Sequence, residues 1–260
     1  MSEPRTAGVA GDRVLVRRDG DALHLTLQHG TANALDLPTA QALTAGLRTA
    51  VDEGLALVVL RGGARFFSAG GDLRAMQSAP DPSGYIRHLA DTLHEGIVAL
   101  ADSSTVLLAV VEGAVAGAGL GLVLNADVVV CAPSARFTAA YGAAGLTPDT
   151  GVSALLPLAI GELRARRMLL LGESIDAATA LDWGLASELV AGDRLDARVA
   201  ELAATLTSSP AANETVRLLR RSRLLDLGAH LEEEARTITA MLPSSDAQRR
   251  IEAFLSRSAG

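Results

Sequence analysis

VLLAVVEGAVAGAGLGLVLNAD, residues Val106 to Asp127, is the stretch on which the reading of the chain turns. Its first six residues, Val106 to Val111, are wholly apolar and rich in β-branched side chains, the composition of a strand covered on both faces. A glycine turn and the start of a short helix follow. Gly113, Gly117, Gly119 and Gly121, with small alanines between them, let another group come close to the backbone. Free N–H groups at a helix start carry partial positive charge, so an oxyanion or phosphate is the natural guest. Three readings compete. Gly113, Gly117 and Gly121 fall in the small-xxx-small register of packed membrane helices. Only fourteen uncharged residues separate Glu112 from Asp127, however, and a span needs about twenty. The dinucleotide fingerprint fails on spacing, GAGLG in place of GxGxxG, and on its position in mid-chain. The third reading is half of an oxyanion hole, which needs a second backbone donor; FFSAGGDL, Phe66 to Leu73, offers one.

The 260 residues suffice for one large α/β core with an appendage or for two small domains, and 49% hydrophobic content describes a folded, Ala- and Leu-rich protein. A net charge of −7 argues against nucleic acid or an anionic membrane surface as partner. All 23 basic residues are arginine, which excludes lysine Schiff-base chemistry and a lysine grip on phosphate. The single cysteine, Cys131, rules out a disulfide framework or Cys-rich metal site and reads as a buried structural thiol. Met1 to Asp12 is polar and reads as a frayed start without a signal peptide, so the expected compartment is cytoplasmic.

Along the chain, Arg13–Arg18 and Ala22–Leu27 read as strands around an Asp19-Gly20 turn. The loop TANALD, Thr31 to Asp36, leads into a helix over Leu37–Glu53, and Leu55–Leu60 is a buried strand. Ser78–Ser83 is a polar, Pro-containing loop. Tyr85–Asp102 is an amphipathic helix carrying His88, Asp91, His94 and Glu95. Such polar groups read as a solvated face, with a metal site or a His–carboxylate dyad as the sharper alternative. Asp127–Cys131 and Ala135–Thr138 are extended, helices start near Val152 and Glu162, and LDWGLASELV, Leu181 to Val190, ends a helix and adds a closing strand. From Asp193 onward the pattern is helical only: Asp193–Thr207, Pro210–Leu227, His230–Met241 and Asp246–Ser256. That shift divides the chain at about residue 200, into 1–200 and 201–260.

FSAGGDL and GAVAGAGLGLVLNAD together resemble the crotonase, or enoyl-CoA hydratase/isomerase, superfamily, and the resemblance continues through GLTPDTG, LDWGLASELV and AFLSR. It implies an α/β fold, a ClpP-like spiral of ββα units, with residues 201–260 as a helical region that builds a homotrimer or a dimer of trimers. It also implies an acyl-CoA thioester substrate, coenzyme A entering as part of that substrate, no separate cofactor and no metal. By the resemblance the N–H groups of Gly71 and Ala118 form the oxyanion hole. Ala32, Ala69, Asp72, Leu73, Gly117 and Tyr141 join them around the ligand, and Arg65 reaches for CoA phosphate, with an ordinary surface arginine as the alternative. The basic residue that often precedes the adenine loop is replaced by Gly30.

The hydratases of the family carry two glutamates. The matching positions here hold Gly121 and, after Ala140, Tyr141, so ordinary hydration is disfavoured. What remains is Asp149 in GLTPDTG, where several family isomerases and the aryl-CoA dehalogenase branch place a carboxylate. One carboxylate can take an α or γ proton and return it elsewhere, moving a double bond. PDTG is equally a good helix N-terminus, and a cap on a helix starting at Thr150 is the competing role for Asp149. The resemblance therefore implies a double-bond isomerase, or one acting on an epoxyphenylacetyl-CoA type of substrate. A hydratase-like lyase, a dehalogenase with Asp149 as nucleophile, and a catalytically silent CoA-binding subunit are the alternatives.

Overall fold

The structure, a computed structural model, describes residues 13–222 and 226–257. A hairpin opens it, β1 (Val14–Asp19) and β2 (Ala22–Leu27), followed by α1 (Leu37–Asp52). Next come β3 (Leu57–Arg61), β4 (Phe66–Ser68), the short α2 (Leu73–Ser78) and the long α3 (Pro82–Ala101). The stretch that opens the sequence argument is β5 (Val106–Val111), β6 (Ala114–Ala116) and α4 (Ala118–Leu124), and β7 (Val128–Cys131) and β8 (Arg136–Thr138) repeat the strand pair. A 3-10 turn at Tyr141–Ala144 precedes α5 (Val152–Ile160), α6 (Glu162–Leu171), β9 (Ser174–Asp176), α7 (Ala177–Trp183) and β10 (Glu188–Leu189). The chain closes with α8 (Leu195–Thr207), α9 (Pro210–Ser222), α10 (Leu227–Met241) and α11 (Ser245–Arg257).

Each turn of the spiral gives one strand to each of two sheets. The larger has the order β1-β2-β3-β5-β7-β10 and the smaller β4-β6-β8-β9, with β3, β5 and β7 parallel and β4, β6 and β8 parallel. Strand β5 shows why the larger sheet needs apolar residues at every position. Leu107, Ala109 and Val111 face the main core with α1 and α3 residues, while Val106, Leu108 and Val110 face Leu195, Val199 and Val216 of α8 and α9. A strand sandwiched in this way loses the polar alternation of a half-exposed one. The expected break near residue 200 falls inside α8, whose Leu195 and Val199 cover the sheet.

The hairpin, the helix after TANALD and the central strands fall where the sequence places them, within a residue or two. The chain start, Met1 to Asp12, lies outside the described residues, as does Leu225, an apolar residue of the helix expected over Pro210–Leu227. Two boundaries need correction. The Ser78–Ser83 loop is shorter than expected, because Pro82 starts α3 and Asp81 caps it, accepting a hydrogen bond from Gly84 N–H at 3.0 Å. The single helix expected over Pro210–Leu227 is described as far as Ser222 and does not reach Leu227, which belongs to α10, capped by Asp226, which accepts from Ala229 N–H at 3.0 Å. Cys131 is buried as expected, and burial pushes its thiol up to about 11. Among the described residues no helix is long and apolar enough to cross a membrane, and no cluster of three or more His, Cys, Asp or Glu side chains could hold a metal ion.

Arg220 ties α9 to the ends of β5 and β7. Its guanidinium, almost fully buried, bonds Asp127 Oδ2 at 2.5 Å and the carbonyls of Leu100 at 2.6 Å and Thr105 at 3.1 Å, and Asp127 Oδ2 also accepts from Leu107 N–H. Removing one partner leaves the other charge buried and unpaired. Arg220→Met should cost about 3–5 kcal/mol in a denaturant titration; a midpoint equal to that of the wild type would show that the pair does not hold the helix.

Candidate functional site

The two glycine-rich blocks meet through their backbones. Gly70, at φ +85°, has no room for a side chain: a Cβ there would lie 2.8 Å from the Ala116 carbonyl oxygen and 3.1 Å from the Ala118 nitrogen. The loop that carries Gly71 is braced from the other side by the TANALD segment. Leu35 N–H donates to the Gly70 carbonyl at 2.7 Å, and Asp72 N–H donates to the Leu35 carbonyl at 3.0 Å. Both neighbours of Gly71 thus face Leu35, so its own N–H is turned the other way. Ser68 Oγ donates to the Asn33 carbonyl at 2.8 Å and accepts from Gly70 N–H at 3.1 Å, fixing the loop further. Ala118 is the first residue of α4, where an N–H has no acceptor inside the helix.

A mainly apolar cavity of about 120 Å³ opens beside these two residues. Ala69, Gly71, Leu73, Gly117, Ala118, Tyr141 and Asp149 lie on its wall together with apolar residues of α3 and, from the tail, Ile238 and Phe254. Ala32, Arg65 and Asp72 do not. Ala32 accepts from Ala69 N–H at 3.0 Å behind the loop, and the Arg65 guanidinium lies over the Phe66 ring, 5.5 Å from its centre. Asp72 caps α2, accepting from the N–H groups of Arg74 and Ala75 at 2.9 and 3.0 Å, so its carboxylate is spent on the helix.

Asp149 is buried, and the capping role does not hold. The residue before α5 is Gly151, not Asp149; Glu234 of α10 accepts from the N–H groups of Gly151 and Ser153, and Val152 N–H, between them, donates to the Asp149 backbone carbonyl at 3.2 Å and not to its carboxylate. The Asp149 carboxylate instead has Thr150 Oγ1 at 3.3 Å from Oδ2 and His94 Nε2 at 2.9 Å from Oδ1. The His94 contact lies off the axis of a hydrogen bond, and neither of its two atoms has another hydrogen-bond partner among the described residues. Tyr141 donates its hydroxyl to the Asp149 carbonyl at 2.9 Å. Burial, with Asp149 and Glu234 adding to it, holds that hydroxyl well above the ordinary tyrosine range, so it stays protonated and remains a donor.

His94 is the residue that the sequence placed wrongly. Only 7% exposed, it is not part of a solvated face, because α3 is packed between α1 and α10 and so buries two of its faces. The dyad weighed for it, with Asp91 or Glu95, is not formed, since Asp91 pairs with Arg87 and Glu95 with Arg48; the carboxylate that His94 faces is Asp149. His94 lies behind the cavity, on the wall of a separate surface groove with Arg48, Asp91 and Leu231.

Gly121, at the position of the first missing glutamate, is packed against the Asp149 turn. A Cβ there would come within 2.5 Å of Thr150 Cβ and 2.6 Å of the Thr150 carbonyl oxygen. In this protein the space for that side chain is occupied by the turn itself.

Residues 19–259 match the family model described as enoyl-CoA hydratase/isomerase. Among curated proteins, YhaR of Bacillus subtilis (strain 168), a provisional enoyl-CoA hydratase/isomerase, is 35% identical over 77% of this chain and 79% of its own. The carnitinyl-CoA dehydratase of Salmonella typhi is 33% identical over 74% of this chain and 73% of its own. Of solved structures, an enoyl-CoA hydratase from Bacillus halodurans superposes with a TM-score of 0.84 at 25% identity, covering 93% of this chain and 100% of that one. Another, from Mycobacterium avium subsp. paratuberculosis K-10, gives 0.82 at 29% identity, covering 94% and 96%.

Because Thr150 fills the space beside Gly121, even one methyl group should be felt. Gly121→Ala is expected to lower stability by about 1–3 kcal/mol through overpacking, read as a shift in denaturation midpoint. An unshifted midpoint would mean that the Asp149 turn yields freely.

Proposed function

Since the chain belongs to the enoyl-CoA hydratase/isomerase family, the crotonases, we propose that it is an acyl-CoA isomerase that moves a double bond through a thioester enolate, with Asp149 as its one proton carrier. A single observation supports this most: Asp149 is the one carboxylate on the cavity wall among the described residues, and that wall includes Gly71 and Ala118. In the proposed reaction Asp149 takes a proton from the α or γ carbon, and the electrons of that C–H bond pass to the thioester oxygen. The N–H groups of Gly71 and Ala118 then hold the oxyanion, at about 3–4 kcal/mol per donor in comparable sites. Return of the proton from Asp149 to the other carbon restores the carbonyl, moves the double bond and leaves the carboxylate as it began. Coenzyme A enters only as part of the substrate, with no separate cofactor, and an epoxyphenylacetyl-CoA type of substrate is the specific variant of this reading.

Hydration is disfavoured for a physical reason. Adding water across a double bond needs one group to activate water and one to protonate carbon, and the wall offers Asp149 and a tyrosine held far above neutrality. The His94–Asp149 contact favours a second reading, in which Asp149 is a nucleophile of the dehalogenase kind and His94 the base that activates water. We rank it second because His94 stands behind Asp149 and off the cavity wall, where water meeting a substrate adduct would have to be. In the first reading His94 holds and orients the Asp149 carboxylate.

We also propose a cytoplasmic homotrimer or dimer of trimers. Leu163 and Leu170 on α6 are 76% and 78% exposed, and Leu218 and Leu219 of the tail lie open as well. Solvent-facing leucines on these two helices support surfaces that another subunit would cover. The other tail residues Ile238, Leu242 and Ile251 fold onto the core of their own chain. Light scattering should give three or six times the monomer mass; a monomer would remove the proposed assembly.

Asp149→Asn keeps the shape of the side chain and removes the base. The variant should fold and bind acyl-CoA as the wild type does, while isomerisation slows by about two powers of ten or more. Turnover at the wild-type rate would eliminate the single-carboxylate mechanism.

A further inference from the structure

The turn that carries Asp149 is held in an unfavourable backbone conformation. Thr150 has φ +64°, in the left-handed region where a β-branched residue is strained, and Gly151 follows at φ +83°. This conformation also removes the usual way of starting a helix. A side-chain cap requires extended backbone at the capping residue, and Gly151 is left-handed and has no side chain; Val152 N–H turns back to the Asp149 carbonyl at 3.2 Å, and the N–H groups of Gly151 and Ser153 on either side of it need an acceptor from elsewhere.

Glu234 supplies it from α10. Its side chain is 4% exposed; Oε2 accepts from Gly151 N–H at 2.7 Å and Oε1 from Ser153 N–H at 2.9 Å. Ser153 Oγ donates to the same Oε1 and lies 2.8 Å from His230 Nε2, one helical turn before Glu234. Two other groups hold the turn: Asn125 Nδ2 donates to the Thr150 carbonyl at 3.2 Å, and Tyr141 to the Asp149 carbonyl. Of the three, Glu234 alone comes from the tail and alone carries a carboxylate, suited to the partial positive charge of a helix start. One turn beyond Glu234, Ile238 of the same helix lines the cavity.

We infer that Glu234 is a positioning residue for the reaction: by clamping the N–H groups of Gly151 and Ser153 it sets the turn, and through the turn the place of the Asp149 carboxylate on the cavity wall. This rests on the reading of Asp149 as proton carrier. The tail helix then does more than cover the core, since one face of α10 both walls the acyl cavity and fixes the group that acts in it. A bare capping role would affect stability and leave the rate of the bound complex alone; a positioning role lowers that rate at unchanged affinity.

The test uses the full-length protein and its Glu234→Gln variant, with the exposed neighbour Glu233→Gln as control and butyryl-CoA in heavy water as probe. Glu234→Gln should speed amide hydrogen exchange of residues 151–153 by about tenfold or more. It should lower kcat for α-proton exchange by a similar factor while KM moves less than about threefold. Glu233→Gln should change neither. Unaltered amide exchange would overturn the clamp, and faster amide exchange with a wild-type kcat would overturn the positioning role. Should Glu234→Gln not fold, Ser153→Ala, which removes only the hydroxyl arm, is judged by the same two readouts with smaller shifts in the same directions. Asp149→Asn run alongside separates the failures. If it still exchanges the α-proton, the proton-carrier reading falls and the positioning role with it. If it does not, while Glu234→Gln exchanges at the wild-type rate, only the positioning role falls.

Discussion

Where the loop after β4 meets the turn after β6, backbone touches backbone with no side chain between. A Cβ at Gly70 would stand 2.8 Å from the Ala116 carbonyl oxygen, so the approach exists only because that residue is glycine. Much of the site follows from this contact. It brings Gly71, whose N–H is turned away from the Leu35 pairing, next to the first residue of α4, whose N–H has no helical acceptor. The spiral supplies the contact by placing β4 and β6 as parallel neighbours in the smaller sheet, each entered from a buried strand of the larger one. The site is thus built from main chain, and the identity of the side chains around it is free to set the chemistry.

The polar groups gathered around Asp149 come from parts of the chain far apart in sequence. Asp149 stands on a strained turn, His94 reaches it from α3, and Glu234 holds the turn from α10. Buried polar groups of this kind are costly unless partnered, and the Glu234 carboxylate has both of its oxygens occupied. The His94–Asp149 pair differs, since the two atoms that face each other have no other partner.

The sequence made the fold legible through one-dimensional signals. Val106–Val111 showed a strand buried on both faces, and glycine spacing showed where two loops must meet. Apolar residues at helical spacing after TANALD showed α1, which Asp36 caps. It hid whatever depends on a second covering element. Leu89, Leu93 and Ile97 mark one buried face of α3, but nothing in that segment announces that α10 will cover another and bury His94. The same blindness affected Asp149: PDTG has the composition of a helix cap, and only the left-handed backbone at Thr150 and Gly151, together with Glu234 more than eighty residues away, removes it from that duty. Asp72, drawn from its motif as a ligand neighbour, has its carboxylate on the start of α2, a bond that the motif did not announce. Local pattern reports local bonds, and long-range polar partners leave no period in the sequence.

The account rests on formation of an enolate at a thioester held in this cavity. Its most direct test follows the α-carbon of a saturated acyl-CoA, which cannot be isomerised, incubated with the wild-type protein in heavy water. The account predicts protein-dependent deuterium wash-in at that carbon, because proton removal and return need no double bond to move. A bound acyl-CoA whose α-carbon takes up no deuterium would contradict it.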